Sequence, residues 1–335
     1  MSVTFPILPA RAAYLHLSNP ARRNALSLSI LRDLRKQLLT YNTSPIDGTL
    51  RILPPFRAEA LNELENASTA RETVARGSRS KSGTVNDLSW LVNAQKWREE
   101  RAGLPNVLVL RSDGPVFSAG HDLSELANIS HDEVKETFAL CAEVMTLIRR
   151  SPAPVVAVIQ GLATAAGAQL ALTCDLPVAL AKTSFQLPGA SLGLPCTSPS
   201  TAVSRRIGNA MAYRMFATAE PVHADRLNGA VDIVDEPEPG ASNPDEKQQI
   251  RMAALETRVA QIVSQLADRT AGQPQALGKW AFWTQAGMNG VGNGGDGYED
   301  AVKWTGRVMA LHARSEDARE GMRAFLEKRR PVWGT

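Results

Sequence analysis

The chain has 335 residues, 44% of them hydrophobic and 21% charged, with a formal net charge of +3. That length supports one large core, or a core with a smaller helical part, and the small charge gives no reason to expect a nucleic-acid partner or an anionic membrane surface. No apolar run approaches the roughly 20 residues that span a bilayer, and three scattered cysteines, Cys141, Cys174 and Cys196, suit a reducing compartment and argue against a disulfide framework or a zinc site.

The opening MSVTFPILPARAAYLHLS lacks the charged and apolar regions of a secretory signal. Ala13 to Ser18 reads as a strand, ended by the turn signal Asn19-Pro20. Ser27 is placed to cap a helix, because its hydroxyl accepts from a free first-turn amide. Leu31, Leu34 and Leu38 give that helix an apolar stripe.

From about 41 to 105 the character changes. Pro54-Pro55 and the run SRSKSG interrupt any long element. Leu61, Leu64 and Ala67 are spaced for one short helix, and Trp90, Ala94 and Trp97 for another. Asn106 to Leu110 is a buried strand, followed by Phe117-Ser118-Ala119-Gly120-His121-Asp122. Asp132 to Arg149 is an amphipathic helix with Val134, Phe138, Cys141 and Met145 on one face. Val155 to Ile159 is a second buried strand. It leads through Gly161–Gly167 into an apolar helix ending near Leu172. Strands alternating with helices predict an α/β fold with parallel βα units.

Residues 235–246, DEPEPGASNPDE, read as a solvated linker, and the remainder is largely helical. Gly290 to Gly295 matches GxGxxG, but no buried strand precedes it, so a nucleotide-binding reading fails its context test. The expected organisation is a core over 1–234 with an insertion at about 41–105, a linker at 235–246, and a C-terminal helical region over 247–335.

Two segments share one logic: buried strand, small-residue turn, helix. The first ends in Ala119-Gly120-His121-Asp122, the second in Ala165-Ala166-Gly167. Small residues let a ligand approach the backbone. Amides at a helix N-terminus are unpaired and favour negative charge. Two such amides converging on one point form an oxyanion hole.

In order and spacing the chain resembles the enoyl-CoA hydratase/isomerase (crotonase) family. The matching text is Arg23-Asn24-Ala25-Leu26-Ser27, PVFSAGHDLSEL, VAVIQGLATAAGAQLALTCDL, SFQLPGASLGL and EGMRAFLEKRRPVW. The resemblance implies a crotonase spiral of ββα units with a C-terminal helical domain. It implies an acyl-CoA thioester as substrate or ligand, with no tightly bound cofactor and no metal. It implies a homotrimer or hexamer in fatty-acid metabolism, and a mitochondrial setting, although no clear presequence precedes the first strand and a cytoplasmic one stays open.

Residue by residue, the resemblance makes the amides of His121 and Ala166 the oxyanion donors. Arg23, Asn24 and Ala25 match the turn that holds the adenosine end of coenzyme A, and Lys328 the cation offered to its phosphates. The family's two glutamates fall on Gln169 and Gly189. Gln cannot ionise and Gly has no side chain, so hydration is expected to be weak or absent. An enzyme of another reaction would use His121, Gln169, or a water or anion in the space opened by Gly189. The alternative is a non-catalytic acyl-CoA binder or regulator.

For single side chains two readings stand together. The His121 imidazole is an acid or base, or packs at the pocket wall. Asp122 caps or braces its turn, and Glu125 lies on a solvated helix face. Cys196 reads as a buried structural thiol. Trp90 and Trp97 are either a lid over the acyl chain or part of a surface insert.

Overall fold

Runs such as VLVLRS and VVAVI are apolar at nearly every position, which suits strands covered on both faces of a parallel sheet. A computed structural model describes residues 5–74, 87–227, 229–235, 243–288, 306–308 and 315–335. In chain order the elements begin with β1 (Ala12–Leu17), α1 (Leu28–Asn42), α2 (Ala60–Val74), α3 (Ser89–Val92), α4 (Ala94–Glu100) and β2 (Val107–Ser112). Next come α5 (Leu123–Leu126), α6 (His131–Arg150), β3 (Val155–Ile159), β4 (Leu162–Thr164), α7 (Ala166–Thr173), β5 (Leu176–Leu180) and β6 (Ser184–Gln186). The rest are α8 (Thr197–Ile207), α9 (Asn209–Thr218), β7 (Val222–His223), β8 (Asp232–Val234), α10 (Pro244–Asp268), α11 (Gly272–Gln285) and α12 (Glu316–Leu326).

One sheet runs β1-β2-β3-β5-β8, with every pair parallel. A smaller sheet runs β4-β6-β7. The units β3-β4-α7 and β5-β6-α8 each give their first strand to the large sheet and their second to the small one. This is the ββα spiral expected of a crotonase fold.

The chain forms two compact units. The first is bounded by residues 1–41, 105–149 and 154–268, the second by 42–104, 150–153 and 269–335. In the first, α10 lays Leu255, Val259 and Val263, one helical turn apart, on Val107, Val109, Val156, Val158 and Val178 of the sheet. Helix α1 buries Leu31, Leu34 and Leu38, as their spacing predicts. The Ser27 hydroxyl accepts from the Ile30 amide at 3.3 Å and caps it.

In the second unit Leu61, Leu64, Trp90, Leu91, Trp97, Leu277 and Trp280 share one apolar cluster. The rings of Trp90 and Trp97 stack at 5.7 Å. These tryptophans are therefore neither a lid nor a surface insert but the core of their own unit. The chain breaks between α3 and α4 at Asn93, whose side chain accepts from the Lys96 amide at 3.1 Å, so both indoles turn inward.

Helix α6 buries a different face from the one its apolar periodicity predicts. Its buried set is Thr137, Leu140, Cys141, Val144, Met145, Leu147 and Ile148, while Phe138 is 37% exposed. Helix α10 begins at Pro244, inside the stretch read as linker, and residues 236–242 of that stretch lie outside the described residues. So does the whole GxGxxG run. No described helix is long and apolar enough to cross a membrane.

Candidate functional site

Two turns pack backbone against backbone. Ser118 bridges Ala163: the Ser118 amide donates to Leu162 O at 3.1 Å and the Thr164 amide to Ser118 O at 3.0 Å. Leu26 pairs with His121, donating its amide to Gly120 O at 2.7 Å. Glycines permit the contact. A Cβ on Gly120 would lie 2.9 Å from Thr164 O, 2.9 Å from the Ala165 Cβ and 3.3 Å from the Ala166 nitrogen. A Cβ on Gly167 would lie 2.5 Å from Ser118 O. Gly120 also has φ +83°, a left-handed conformation that favours glycine.

Ala166 opens α7, so its amide has no carbonyl partner inside the helix. In the Leu26–His121 bridge the accepting carbonyl belongs to Gly120, leaving the His121 N–H aside. Among the described residues, no backbone carbonyl accepts from the amide of either His121 or Ala166. Gly120 relates the two: it precedes His121 in the chain, and a Cβ on it would lie 3.3 Å from the Ala166 nitrogen. Ala165 holds φ 49° and ψ −121°, a conformation that costs a non-glycine residue about 1–3 kcal/mol. Its amide is fixed to Gln186 O at 2.9 Å, which sets the direction of the next peptide.

The His121 ring is half-buried. Its Nδ1 lies 3.2 Å from Leu26 O, and the ring meets Phe138 edge-on at 4.9 Å. Phe138 therefore packs on His121 rather than in the core. Burial holds the imidazole below its ordinary pKa of 6.5, partly opposed by the Leu26 carbonyl. The neutral ring donates from Nδ1–H to that carbonyl, leaving Nε2 as the basic atom. Asp122 caps α5 by accepting from the Glu125 amide at 3.1 Å. Glu125 departs from expectation. Its carboxylate accepts from the Leu28 amide at 3.1 Å and so holds the first turn of α1.

Gln169 is 6% exposed. Its amide meets the Ser198 hydroxyl from both ends, Nε2 at 3.2 Å and Oε1 at 3.4 Å. Gly189 opens no space where its own Cβ would stand. A Cβ there would lie 2.8 Å from both the amide nitrogen and the sulfur of Cys196, and closer still to the carbonyl oxygen of Leu194. The Gly189 amide donates to Cys196 Sγ at 3.3 Å, and burial raises that thiol's pKa. Cys196 is a packed, protonated thiol.

Asn24 is 1% exposed and joins two loops. Its Oδ1 accepts from the Asn19 amide at 2.8 Å, while Nδ2 donates to Asp113 O at 2.6 Å and Val116 O at 2.7 Å. That side chain is fully engaged within the protein. Arg23 is exposed and Ala25 buried beside it. Lys328 is exposed in the second unit, with φ 53°.

Residues 97–269 match the profile of the enoyl-CoA hydratase/isomerase family. The rat enoyl-CoA hydratase domain-containing protein 3, mitochondrial, is 32% identical over 320 residues, covering 95% of this chain and 79% of the rat protein. This chain belongs to the enoyl-CoA hydratase/isomerase family. Within the family, the crystal structure of human enoyl-CoA hydratase domain-containing protein 3 superposes with a TM-score of 0.62 at 29% identity, covering 97% of each chain. An enoyl-CoA hydratase from Mycobacterium smegmatis gives 0.64 at 30%, covering 96% of this chain and 95% of its own.

Among these positions, Ser198 was not singled out by the sequence, and Glu125 and Phe138 were read in other roles. Ser198 sits in the hydroxyl-rich start of α8, where TSPST was the available signal. Glu125 and Phe138 act across elements, through Leu28 and His121, so the local pattern that marks them does not give these contacts.

Proposed function

We propose that this protein binds acyl thioesters of coenzyme A and hydrates enoyl thioesters poorly or not at all. The amides of His121 and Ala166 donate to the thioester carbonyl oxygen, where negative charge develops in an enolate. The observation that carries this reading is the close packing of the two turns, in which a Cβ on Gly120, the residue before His121, would lie 3.3 Å from the Ala166 nitrogen, while neither amide donates to a backbone carbonyl among the described residues. Hydration needs one group to take a proton from water and another to give one to carbon. Gln169 offers neither, and the space at Gly189 is filled by Leu194 O and Cys196. The filled space favours a binder, or an enzyme of another reaction, over a hydratase.

The adenosine end lies along Arg23, Asn24 and Ala25. Asn24 acts there by bracing the turn, since its side-chain amide is already engaged. Lys328 supplies a cation to the phosphates within a trimer or hexamer. The names of the relatives support a mitochondrial setting, and the family resemblance supports a role in fatty-acid metabolism.

Calorimetric titration with hexanoyl-CoA, beside an absorbance assay of crotonyl-CoA hydration, tests the reading. Saturable binding with hydration at least about 10²–10⁴-fold below that of a glutamate-bearing family hydratase, the cost of losing one such group alone, is expected. Hydration at that enzyme's rate, or no affinity for either thioester, contradicts it.

A further inference from the structure

In the proposed complex the thioester carbonyl oxygen rests on the His121 amide, and the imidazole hangs from that same residue. Nδ1 faces Leu26 O at 3.2 Å, and Phe138 meets the ring edge-on at 4.9 Å. These contacts occupy one nitrogen and hold the ring. Nε2 has no hydrogen-bond partner among the described residues, yet it is not one of the side-chain atoms sealed from solvent. It is a lone pair open to water.

The charged groups beside it are engaged elsewhere. Asp122 Oδ1 accepts from the Glu125 amide at 3.1 Å, and its Oδ2 lies 4.0 Å from the Arg22 guanidinium. The Glu125 carboxylate holds the Leu28 amide. Among the described residues, no carboxylate pairs with the ring, and burial keeps it neutral at pH 7. A neutral imidazole with one nitrogen held by a carbonyl is basic at the other. Such a base, set beside two donors to a carbonyl oxygen, is the equipment of acyl hydrolysis. Hydrolysis needs a base at the first carbon of the acyl group, next to the oxygen that the amides hold. Hydration needs proton transfers at the second and third carbons, and Gln169 and Gly189 supply neither.

We infer that the His121 imidazole is the general base for hydrolysis of a bound acyl-CoA thioester. Nε2 takes a proton from water as the water oxygen bonds to the thioester carbon. The carbonyl electron pair moves onto the oxygen held by the amides of His121 and Ala166. The carbon–sulfur bond then breaks, its electron pair leaves with the sulfur, and the sulfur takes the proton from Nε2. The products are a free carboxylic acid and coenzyme A. The inference rests on the proposed thioester binding and adds a reaction to it.

The test measures free coenzyme A released from hexanoyl-CoA by chromatography, beside calorimetric binding, for the parent and for His121→Gln. Glutamine keeps the backbone amide and removes the base. The parent releases coenzyme A at a rate that is level above pH 6.5 and falls on further acidification, as the ring is protonated. His121→Gln still binds and loses about 10²–10⁴-fold of that rate. Reaction in water labelled with ¹⁸O puts one labelled oxygen into the hexanoate. Binding without release by the parent, or release that His121→Gln leaves unchanged, overturns the inference and leaves thioester binding standing. A parent rate that does not fall below pH 6.5 overturns it without recourse to the variant. Failure of the parent to bind hexanoyl-CoA overturns both.

Discussion

The carbonyl oxygen of Leu194 stands where a side chain on Gly189 would have to go. The glycine is required by packing and does not leave a vacancy for a catalytic group. Gly189→Ala therefore lowers stability by about 3 kcal/mol, because a backbone atom must move to admit one methyl group. Urea unfolding checks this, and Gly189→Glu is expected to lose the fold of the 188–196 loop rather than gain hydration.

Gly120 stands at the other contact. Gly120→Ala places a methyl group 2.9 Å from Thr164 O at φ +83°. The expected loss is about 1–3 kcal/mol of stability. Affinity for hexanoyl-CoA falls as well, because the new group also crowds the Ala166 nitrogen. Thermal melting and calorimetry read the two effects separately.

Ala165 carries strain that a glycine would not. Ala165→Gly relieves φ 49° and is expected to raise stability by about 1 kcal/mol, after the greater freedom of glycine in the unfolded chain is subtracted. Equilibrium urea curves of the two proteins give the difference.

Asn24 joins the 19–24 turn to the 113–118 loop through two hydrogen bonds from Nδ2, and its Oδ1 closes the turn by accepting from the Asn19 amide. Asn24→Ala leaves the carbonyls of Asp113 and Val116 without this donor, at a cost of about 3 kcal/mol. Denaturant midpoints at matched slope report it.

His121 supplies a pH signature. Its pKa in the folded state is below 6.5 because burial penalises the charged ring. The unfolded state therefore binds more protons as pH falls from 6.5 toward the folded value, and stability declines across that window. His121→Gln removes this contribution, so the variant's urea midpoint falls less steeply with acidification than the parent's.

The sheet and the two turns were legible because apolar runs and glycines are local signals. Val155 to Ile159 and the stripe Leu31, Leu34, Leu38 needed nothing from the rest of the chain. The small sheet was not legible, since β4 and β6 are three residues each and β7 is two. Phe138 was misread because periodicity gives the apolar face of a helix without saying which edge a neighbouring ring such as His121 will cover. The role of Trp90 and Trp97 depends on Leu277 and Trp280, far along the chain. Gly189 could be read as an absent side chain, whereas the atom filling its place belongs to Leu194, five residues on.

The amides of His121 and Ala166 are tested most directly by the infrared carbonyl stretch of hexanoyl-CoA labelled with ¹³C at the thioester carbon. Two donors on one oxygen polarise the carbonyl, so the account predicts a shift to lower frequency in the complex, reduced in Gly120→Ala. A bound ligand whose carbonyl stretch matches that of free hexanoyl-CoA in water would contradict it.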